Sequence, residues 1–406
     1  MLTVWRCDVA VVGAGPAGAV AALCLARAGA NVALIDKRAF PRDKACGDLI
    51  GPRGVQLLTE LEITVPGART VGDMIVVAPN GRHARLPALP GIDYPGHALA
   101  IGRRTFDATL VEAAVDAGAH LICDRVSGLI GDPPTPTGVR LSTGEVRADV
   151  IIGADGATSR VASQAGLLDH HRTLWGFALR SYVDVPVELP HIVLWEPQPW
   201  RTFPGYGWVF PTADGTANVG LGLAVEADRA AARRATAHFT DFLRYLARRA
   251  LLPEPAAASV LGGWLRMGAA GVLPARGNVL LAGDAAALIN PLQGEGIAQA
   301  MASGRACAEA ITTVGPTAAA DRYRVTLHAM TAHQRANAPV QIGMINHPKV
   351  VAASARLLTA PWVRRAVAGA WALYWNDLVV GARPTSHRHV AAGLARFVRA
   401  VAAPEP

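Results

Sequence analysis

Three stretches of the chain carry residues whose types and spacing could do chemistry. The first, KACGDLIGPRG at residues 44–54, sets the thiol of Cys46 two positions before the carboxyl of Asp48, among glycines. With an ordinary pKa of about 8.5 such a thiol is mostly protonated at neutral pH, so Cys46 could position an apolar molecule or relay a proton, though only as a weak acid. It could equally be a small buried hydrophobe. Asp48 reads first as a turn or cap before Pro52, which suits the first position of a helix through RGVQLLTEL. The second stretch, PGYGWVFPTADGTANVGLG at 204–222, reads as a strand, a turn at Asp214 and Gly215, and a returning strand. Strand alternation puts Tyr206, Trp208 and Phe210 on one face, where they either pack a sheet or wall a pocket.

The third stretch is CDVAVVGAGPAGAVAALCLARAGANVALIDK. Its apolar strand ends at Gly13, a helix starts near Pro16 and Ala17, and a second strand delivers Asp36 eighteen residues after Gly18. That is the arrangement that binds dinucleotides. Gly13 permits the tight turn, and Gly15 lets backbone N–H groups approach a pyrophosphate at the helix N-terminus. Gly18 lets helix and strand pack, and Asp36 would accept ribose hydroxyls. Two later segments repeat the theme of an apolar strand ending in small and acidic residues: VIIGADGATSRVA with Asp155, and GNVLLAGDAAALINPLQGEGIAQAMASG with Gly283 and Asp284. Asp284 could hold a polyol hydroxyl. The helix start after Pro291, at Gly294, Gly296 and Ile297, offers a positive dipole end to an anionic ring edge.

Together these segments resemble the FAD-dependent oxidoreductases of the p-hydroxybenzoate hydroxylase-like fold, over about residues 7–330. The resemblance implies an α/β chain: a Rossmann-like FAD-binding domain of the p-hydroxybenzoate hydroxylase/glutathione reductase type, an inserted mostly antiparallel β-sheet substrate domain, and a helical C-terminal region. It implies FAD contacts at Gly13, Gly15, Pro16, Ala17, Gly18, Asp36, Lys37, Arg42, Cys46, Gly47, Arg103, Val126, Asp155, Gly283, Asp284, Pro291, Gly294, Gly296 and Ile297. Arg103 matches the family arginine four residues ahead of an aspartate, whereas Arg160 sits off the usual spacing and its role stays open. Arg42 and Lys44 would face the pyrophosphate or be solvated.

FPRDKACGDLIGPRG and PGYGWVFPTADGTANVGLG look like the geranylgeranyl reductase family, which includes bacterial menaquinone reductases. That resemblance implies saturation of an isoprenoid double bond by hydride from reduced flavin. Cys46, Tyr206 and Trp208 would then stand at the reacting carbons. The family commonly reads Cys-Gly-Asp-Gly where this chain has Leu49, which bears on the substrate. Flavin halogenases share the aromatic pattern but use a lysine, and this chain has none between Lys44 and Lys349. A monooxygenase or oxidative cyclase acting on an apolar natural product is the alternative. No second dinucleotide motif appears, so NAD(P)H would bind transiently, or another electron donor would serve.

Composition bounds the remainder. Of 406 residues 51% are hydrophobic and 17% charged, below the roughly 25% usual in soluble domains, so apolar surface is available for a lipid or an apolar ligand. The formal charge of +8 rests on arginine, without a basic run or motif that would indicate nucleic acid. Cys7, Cys24, Cys46, Cys123 and Cys307 lack metal-ligand spacing and read as reduced thiols, which with the lack of a signal-like start suggests the cytoplasm. No metal is expected.

Because three motifs share one cofactor, the FAD-binding domain should be discontinuous, at 1–70, 98–167 and 268–330, with a substrate domain at 71–97 and 168–267. DPPTPTG reads as a hairpin loop. A helical region at 331–406 carries Trp362, Trp371, Tyr374 and Trp375 beside arginines, a pattern that suits either core packing or peripheral contact with the inner membrane face. The oligomeric state is not legible.

Overall fold

The computed structural model describes residues 3–332 except 80, 87, 89–94, 195–204, 226–233, 254–258 and 292–293, together with Arg335 and Ala360. Beyond its first few positions, the helical region expected at 331–406, with Trp362, Trp371, Tyr374 and Trp375, lies outside the described residues apart from Ala360.

Strand Thr3–Val12, helix Pro16–Arg27 and strand Val32–Asp36 form the opening unit, and the two strands pair in parallel, Val9 with Val32 through Val12 with Ile35. Parallel neighbours need such a crossover. On its other side Thr3–Val12 pairs in parallel with Gly144–Gly153, which pairs in parallel with Val279–Leu281. His120–Cys123 lies parallel beside Val32–Asp36, and Ala275–Arg276 closes the far edge antiparallel. Val9, Ala10, Val11, Val150, Ile151 and Ile152 are at most 1% exposed, as a parallel sheet covered on both faces requires. Since these five adjacent strands run the same way, the carboxyl ends of four of them bring Gly13, Asp36, Asp155 and Gly283 to one edge. The strand order, not the sequence order, brings these four residues together.

Helix Ile297–Met330 crosses helix Pro16–Arg27 so closely that a Cβ on Gly304 would lie 2.1 Å from the carbonyl oxygen of Ala17. It bends where Gly315 (φ 77°) precedes Pro316. Strands Gly128–Ile130 and Gly138–Arg140 pair antiparallel, and DPPTPTG forms the loop between them, as expected from its turn residues.

A second sheet has seven strands in the order Leu261–Met267, Leu174–Val183, Ala217–Val225, Gly205–Pro211, His191–Val193, Met74–Val77, His83–Leu86. All neighbours are antiparallel except His191–Val193 with Met74–Val77. Helix Ala235–Arg248 covers one face with Phe239, Phe242 and Leu246, and Gly207 makes room for it: a Cβ there would lie 2.0 Å from Phe242 Cζ. Alternation then turns Tyr206, Trp208 and Phe210 to the opposite face. A small third sheet, Leu49–Ile50, Ala98–Ala100 and Arg69–Val71, fixes the far end of the Cys46 segment through Leu49 opposite Ala100.

Candidate active site

Backbone geometry builds the cradle at the sheet edge. Gly13 has φ 99°, a region that costs little only for glycine, and a Cβ there would stand 2.3 Å from the Ala154 carbonyl oxygen. Gly18 meets the Gly13 carbonyl just as tightly, at 1.8 Å for its absent Cβ. Gly15 is the opposite case, because a Cβ there would find only Arg42 Nη2 within 4 Å, at 3.8 Å. The helix that Gly15 caps has no side chain on its first amides, and Pro16 leads it. Open space before free N–H groups is what an approaching phosphate requires. Asp36 lies under this turn: Oδ2 accepts from the Ala14 N–H at 3.0 Å and Arg42 Nη2 at 3.2 Å, and Oδ1 from the Arg38 N–H at 3.0 Å. A carboxylate offers about four acceptor positions, so room remains for a hydroxyl. Lys37 beside it is exposed.

Arg42 also reaches Asp107 Oδ2 at 3.1 Å, and Arg103 grips the same carboxylate with Nε and Nη2 at 2.6 and 2.7 Å. The spacing from Arg103 to Asp107 is one helical turn, which is why the two meet. Arg103 is 3% exposed. From Arg42 the chain runs to Lys44, whose Nζ stands 3.4 Å from Asp284 Oδ2, so one short segment spans the cradle from Asp36 to Asp284. Gly283, at φ 60°, packs on Ala17 and Ala300, and Asp284 Oδ1 lies 3.8 Å from the Cβ position of Gly296. Pro291 is buried, and Gly296 begins the helix at Ile297 without a side-chain cap. These residues fit an FAD, whose ADP half Gly13–Gly18 would hold and whose polar ring edge Gly294–Ile297 would face.

Asp155 turns inward instead, where Oδ1 takes the Ser159 hydroxyl and Oδ2 the N–H groups of Arg160 and Val161, at 2.7 and 3.2 Å. Its carboxylate caps the short helix Arg160–Gln164, and it meets the dinucleotide turn through its Cα, beside Gly13. Arg160 Nη1 donates to the Ser127 carbonyl at 3.1 Å, away from that turn. Val126 is half-buried against the main core, on the loop after His120–Cys123.

The second half of the site is a seam of side chains. A Cβ on Gly47 would lie 2.9 Å from the Phe210 ring and 3.4 Å from Trp208 Nε1, so the backbone of the Cys46 turn rests directly on the aromatic face. Trp208 lies flat because Gly220 opposite has no side chain; a Cβ there would stand 1.9 Å from the indole. Tyr206, Trp208 and Phe210 follow one another at 6.2 Å between ring centres. The Tyr206 hydroxyl abuts Gly294, 2.5 Å from the position of its absent Cβ. The candidates Cys46, Gly47, Tyr206, Trp208 and Gly294 thus come together from three separate parts of the chain. Leu49 packs against the cluster of Ala178, Trp208 and Phe210, so the residue that replaces the family glycine extends the apolar wall. Burial pushes the Cys46 thiol up from its ordinary value, opposed by the Arg103 guanidinium and assisted by Asp48. The thiol is therefore neutral, and the Asp48 N–H points at its sulfur at 3.4 Å.

Two residues of this seam, Asn218 and Tyr182, escaped sequence reasoning. Asn218, fully buried, receives Trp208 Nε1 at 2.9 Å on its Oδ1 and donates through Nδ2 to the Cys46 carbonyl and Asp48 Oδ2, both at 2.8 Å. The Tyr182 hydroxyl donates to the same Asp48 oxygen at 2.5 Å. Asp48 itself is 1% exposed, at φ 60°, so beyond making the turn it is the hub of a buried polar network. Asn218 had a signal, being the polar residue within the otherwise apolar and glycine strand ANVGLG. Tyr182 had none beyond strand alternation.

The FAD binding domain family model matches residues 6–338. The chain is similar to a menaquinone reductase of Mycolicibacterium smegmatis, 37% identical over 331 residues, which are 77% of this chain and 78% of that protein. It is 32% identical over 322 residues to digeranylgeranylglycerophospholipid reductase 2 of Methanopyrus kandleri, covering 74% of this chain and 76% of that one. In backbone it resembles a geranylgeranyl bacteriochlorophyll reductase-like protein of Thermoplasma acidophilum, with a TM-score of 0.75 and 21% identity over 97% of this chain and 100% of the other, a likeness of fold. The chain belongs to the FAD binding domain family and, within it, to the geranylgeranyl reductase family of FAD-dependent oxidoreductases.

Proposed function

We propose that this enzyme saturates an isoprenoid carbon–carbon double bond of a polyprenyl lipid or quinone. The observation that carries the reading is the aromatic face of Tyr206, Trp208 and Phe210 closed over Cys46–Gly47 and Gly294. The reductase relatives support the same substrate class. When bound and reduced by transient NAD(P)H or another donor, FAD supplies a hydride from N5.

An isolated trisubstituted alkene has no carbonyl to take up negative charge, so a proton must arrive before or with the hydride, and positive character develops at the tertiary carbon. Trp208 spends its only donor on Asn218, leaving the indole to present carbon faces. Such faces, here 5% and 7% exposed at Trp208 and Phe210, stabilise a cationic centre by about 1 to 2 kcal/mol when water is excluded. The neutral Cys46 thiol repels neither the apolar chain nor the developing charge, and its hydrogen is available to the reacting carbon. An apolar lipid substrate implies peripheral contact with the inner membrane face; among the described residues no helix is long and apolar enough to cross a membrane.

Anaerobic reduction of the flavoprotein followed by a menaquinone or a geranylgeranyl substrate should yield, by mass spectrometry, a product heavier by two hydrogens. A product that forms only with oxygen and carries an added oxygen atom would establish a monooxygenase instead.

A further inference from the structure

A double bond that gains hydrogen at both carbons leaves little freedom to the groups around it. The Cys46 turn and the Trp208 face must meet adjacent carbons at the same moment, yet they come from distant parts of the chain. One side chain joins them. Asn218 lies on the returning strand opposite Phe210, with Tyr182 opposite it on the other side. Trp208 faces Gly220, two residues further along, and this diagonal brings the indole Nε1 to Asn218 Oδ1 at 2.9 Å. Asn218 Nδ2 spends its two hydrogens on the Cys46 carbonyl and on Asp48 Oδ2, both at 2.8 Å. The Asp48 N–H in turn meets the Cys46 sulfur at 3.4 Å, so one amide holds the turn on both sides of the thiol.

The partners leave this amide a single orientation. An indole N–H can only donate and a carbonyl oxygen can only accept, and Asp48 Oδ2, which already takes the Tyr182 hydroxyl hydrogen, accepts as well. A half-turn of the amide would set Oδ1 against two oxygens and Nδ2 against a donor. Asn218 is 0% exposed, so no solvent stands in for a lost bond. The indole has no slack either: a Cβ on Gly220 would lie 1.9 Å from it, and one on Gly47 3.4 Å from Nε1.

We propose that Asn218 is the positioning residue that holds the Cys46 thiol and the Trp208 face in one fixed relation to the reacting double bond. The assignment rests on the alkene-reductase reading above. Asn218 acts through the two groups that meet the substrate. Without its amide the sulfur and the ring are free to drift apart, and a misplacement of about 1 Å slows a reaction by about a hundredfold. Binding an apolar chain asks far less of that relation than the transition state does, so the loss falls on the maximal rate and spares affinity.

Asn218→Leu fills the same space and removes all three bonds. In single turnovers of the anaerobically reduced holoenzyme with a menaquinone, its maximal rate should fall about a hundredfold, with the half-saturating concentration changed by less than about threefold. In D2O the wild type should place deuterium on the two carbons in one relative configuration, read by NMR, and Asn218→Leu should give a mixture, which lowered stability alone would not produce. Asn218→Asp serves if that variant does not fold. It keeps the shape and the acceptor for Trp208 but turns oxygen toward the Cys46 carbonyl and Asp48, so it should be slow and give the same mixture. Adding Asp48→Asn, which tolerates the left-handed backbone, restores a hydrogen to the bond between 218 and 48 and should recover about tenfold in rate. Hydrogen exchange of the holoenzyme reads the clamp without turnover: residues 44–49 should exchange faster in Asn218→Asp while Val9–Val12 stays protected. A wild-type rate with a single configuration in Asn218→Asp, or no recovery on adding Asp48→Asn, overturns the assignment while leaving alkene reduction intact. If the wild type hydrogenates no isoprenoid, the alkene-reductase reading fails and the assignment falls with it, whatever the exchange shows.

Discussion

The two halves of the site are built by opposite means. At the dinucleotide turn, glycines and free amides do the positioning, and the side chains there stay clear of the space a cofactor would fill. Across the seam, Cys46, Asp48, Trp208, Tyr182 and Asn218 hold one another through side-chain hydrogen bonds and ring contacts. Backbone sites tolerate little change of shape but do not titrate. Side-chain sites can be retuned residue by residue, and they carry groups that respond to pH.

The largest effects should come from the first half, and they divide by position. Gly13→Ala forces a side chain to φ 99° with its Cβ 2.3 Å from the Ala154 carbonyl, so it should cost on the order of 4 kcal/mol and yield protein without flavin absorbance. Gly15→Ala, with φ −74° and only Arg42 Nη2 within 4 Å, should leave the apoprotein's melting temperature unchanged and weaken FAD binding alone. Thermal melts of apoprotein and holoprotein separate the two. If Gly15→Ala destabilises the apoprotein as much as Gly13→Ala, the open cradle is wrong.

Trp208→Ala addresses the seam. Emptying the site of a 5%-exposed indole should cost about 3 to 4 kcal/mol and remove the face that a cationic carbon would meet. Trp208→Phe keeps a ring but leaves Asn218 Oδ1 without its donor, so it should cost about 1 to 2 kcal/mol in denaturant titrations and retain more of the hydrogenation rate. Equal loss of rate in both variants would mean that the indole N–H, not the ring face, is what the reaction uses.

The difference between the halves also explains what the sequence could tell. Gly13, Gly15, Gly18 and Asp36 were legible because a strand, a turn and a helix fix their relation within a few dozen residues. The unit's sheet neighbours were legible for the same reason, each motif following its own apolar strand. In the seam, spacing and alternation identified Cys46 and the Tyr206–Trp208–Phe210 face as candidates, and the family resemblance gave them roles. What they touch was not legible: Asp48 meets Tyr182 and Asn218 across 134 and 170 residues, contacts set by how two sheets dock. For Asp155 the place after a strand was legible, but not that its carboxylate accepts from Ser159, Arg160 and Val161 at the start of the helix five residues on.

The smallest effect tests the pH contrast through stability. The Asp48 carboxyl moves from 3.8 in an ordinary setting to about 6 in the folded protein, chiefly because burial disfavours its charge. A raised carboxyl binds its proton more tightly folded than unfolded. Below about pH 4 both states are protonated and nothing is lost; between about 4 and 6 stability falls with rising pH; above about 6 the full penalty stands. A shift of that size corresponds to on the order of 3 kcal/mol at most, reduced by relaxation around the charge. Asp48→Asn lacks the ionisation, so the gap between its stability and that of the wild type should change across this window in the variant's favour as pH rises. Chemical denaturation of both proteins at pH 4 and pH 7 measures it. A gap that does not move would mean that the Tyr182 and Asn218 bonds fully offset burial, and the seam would then be as indifferent to pH as the backbone cradle beside it.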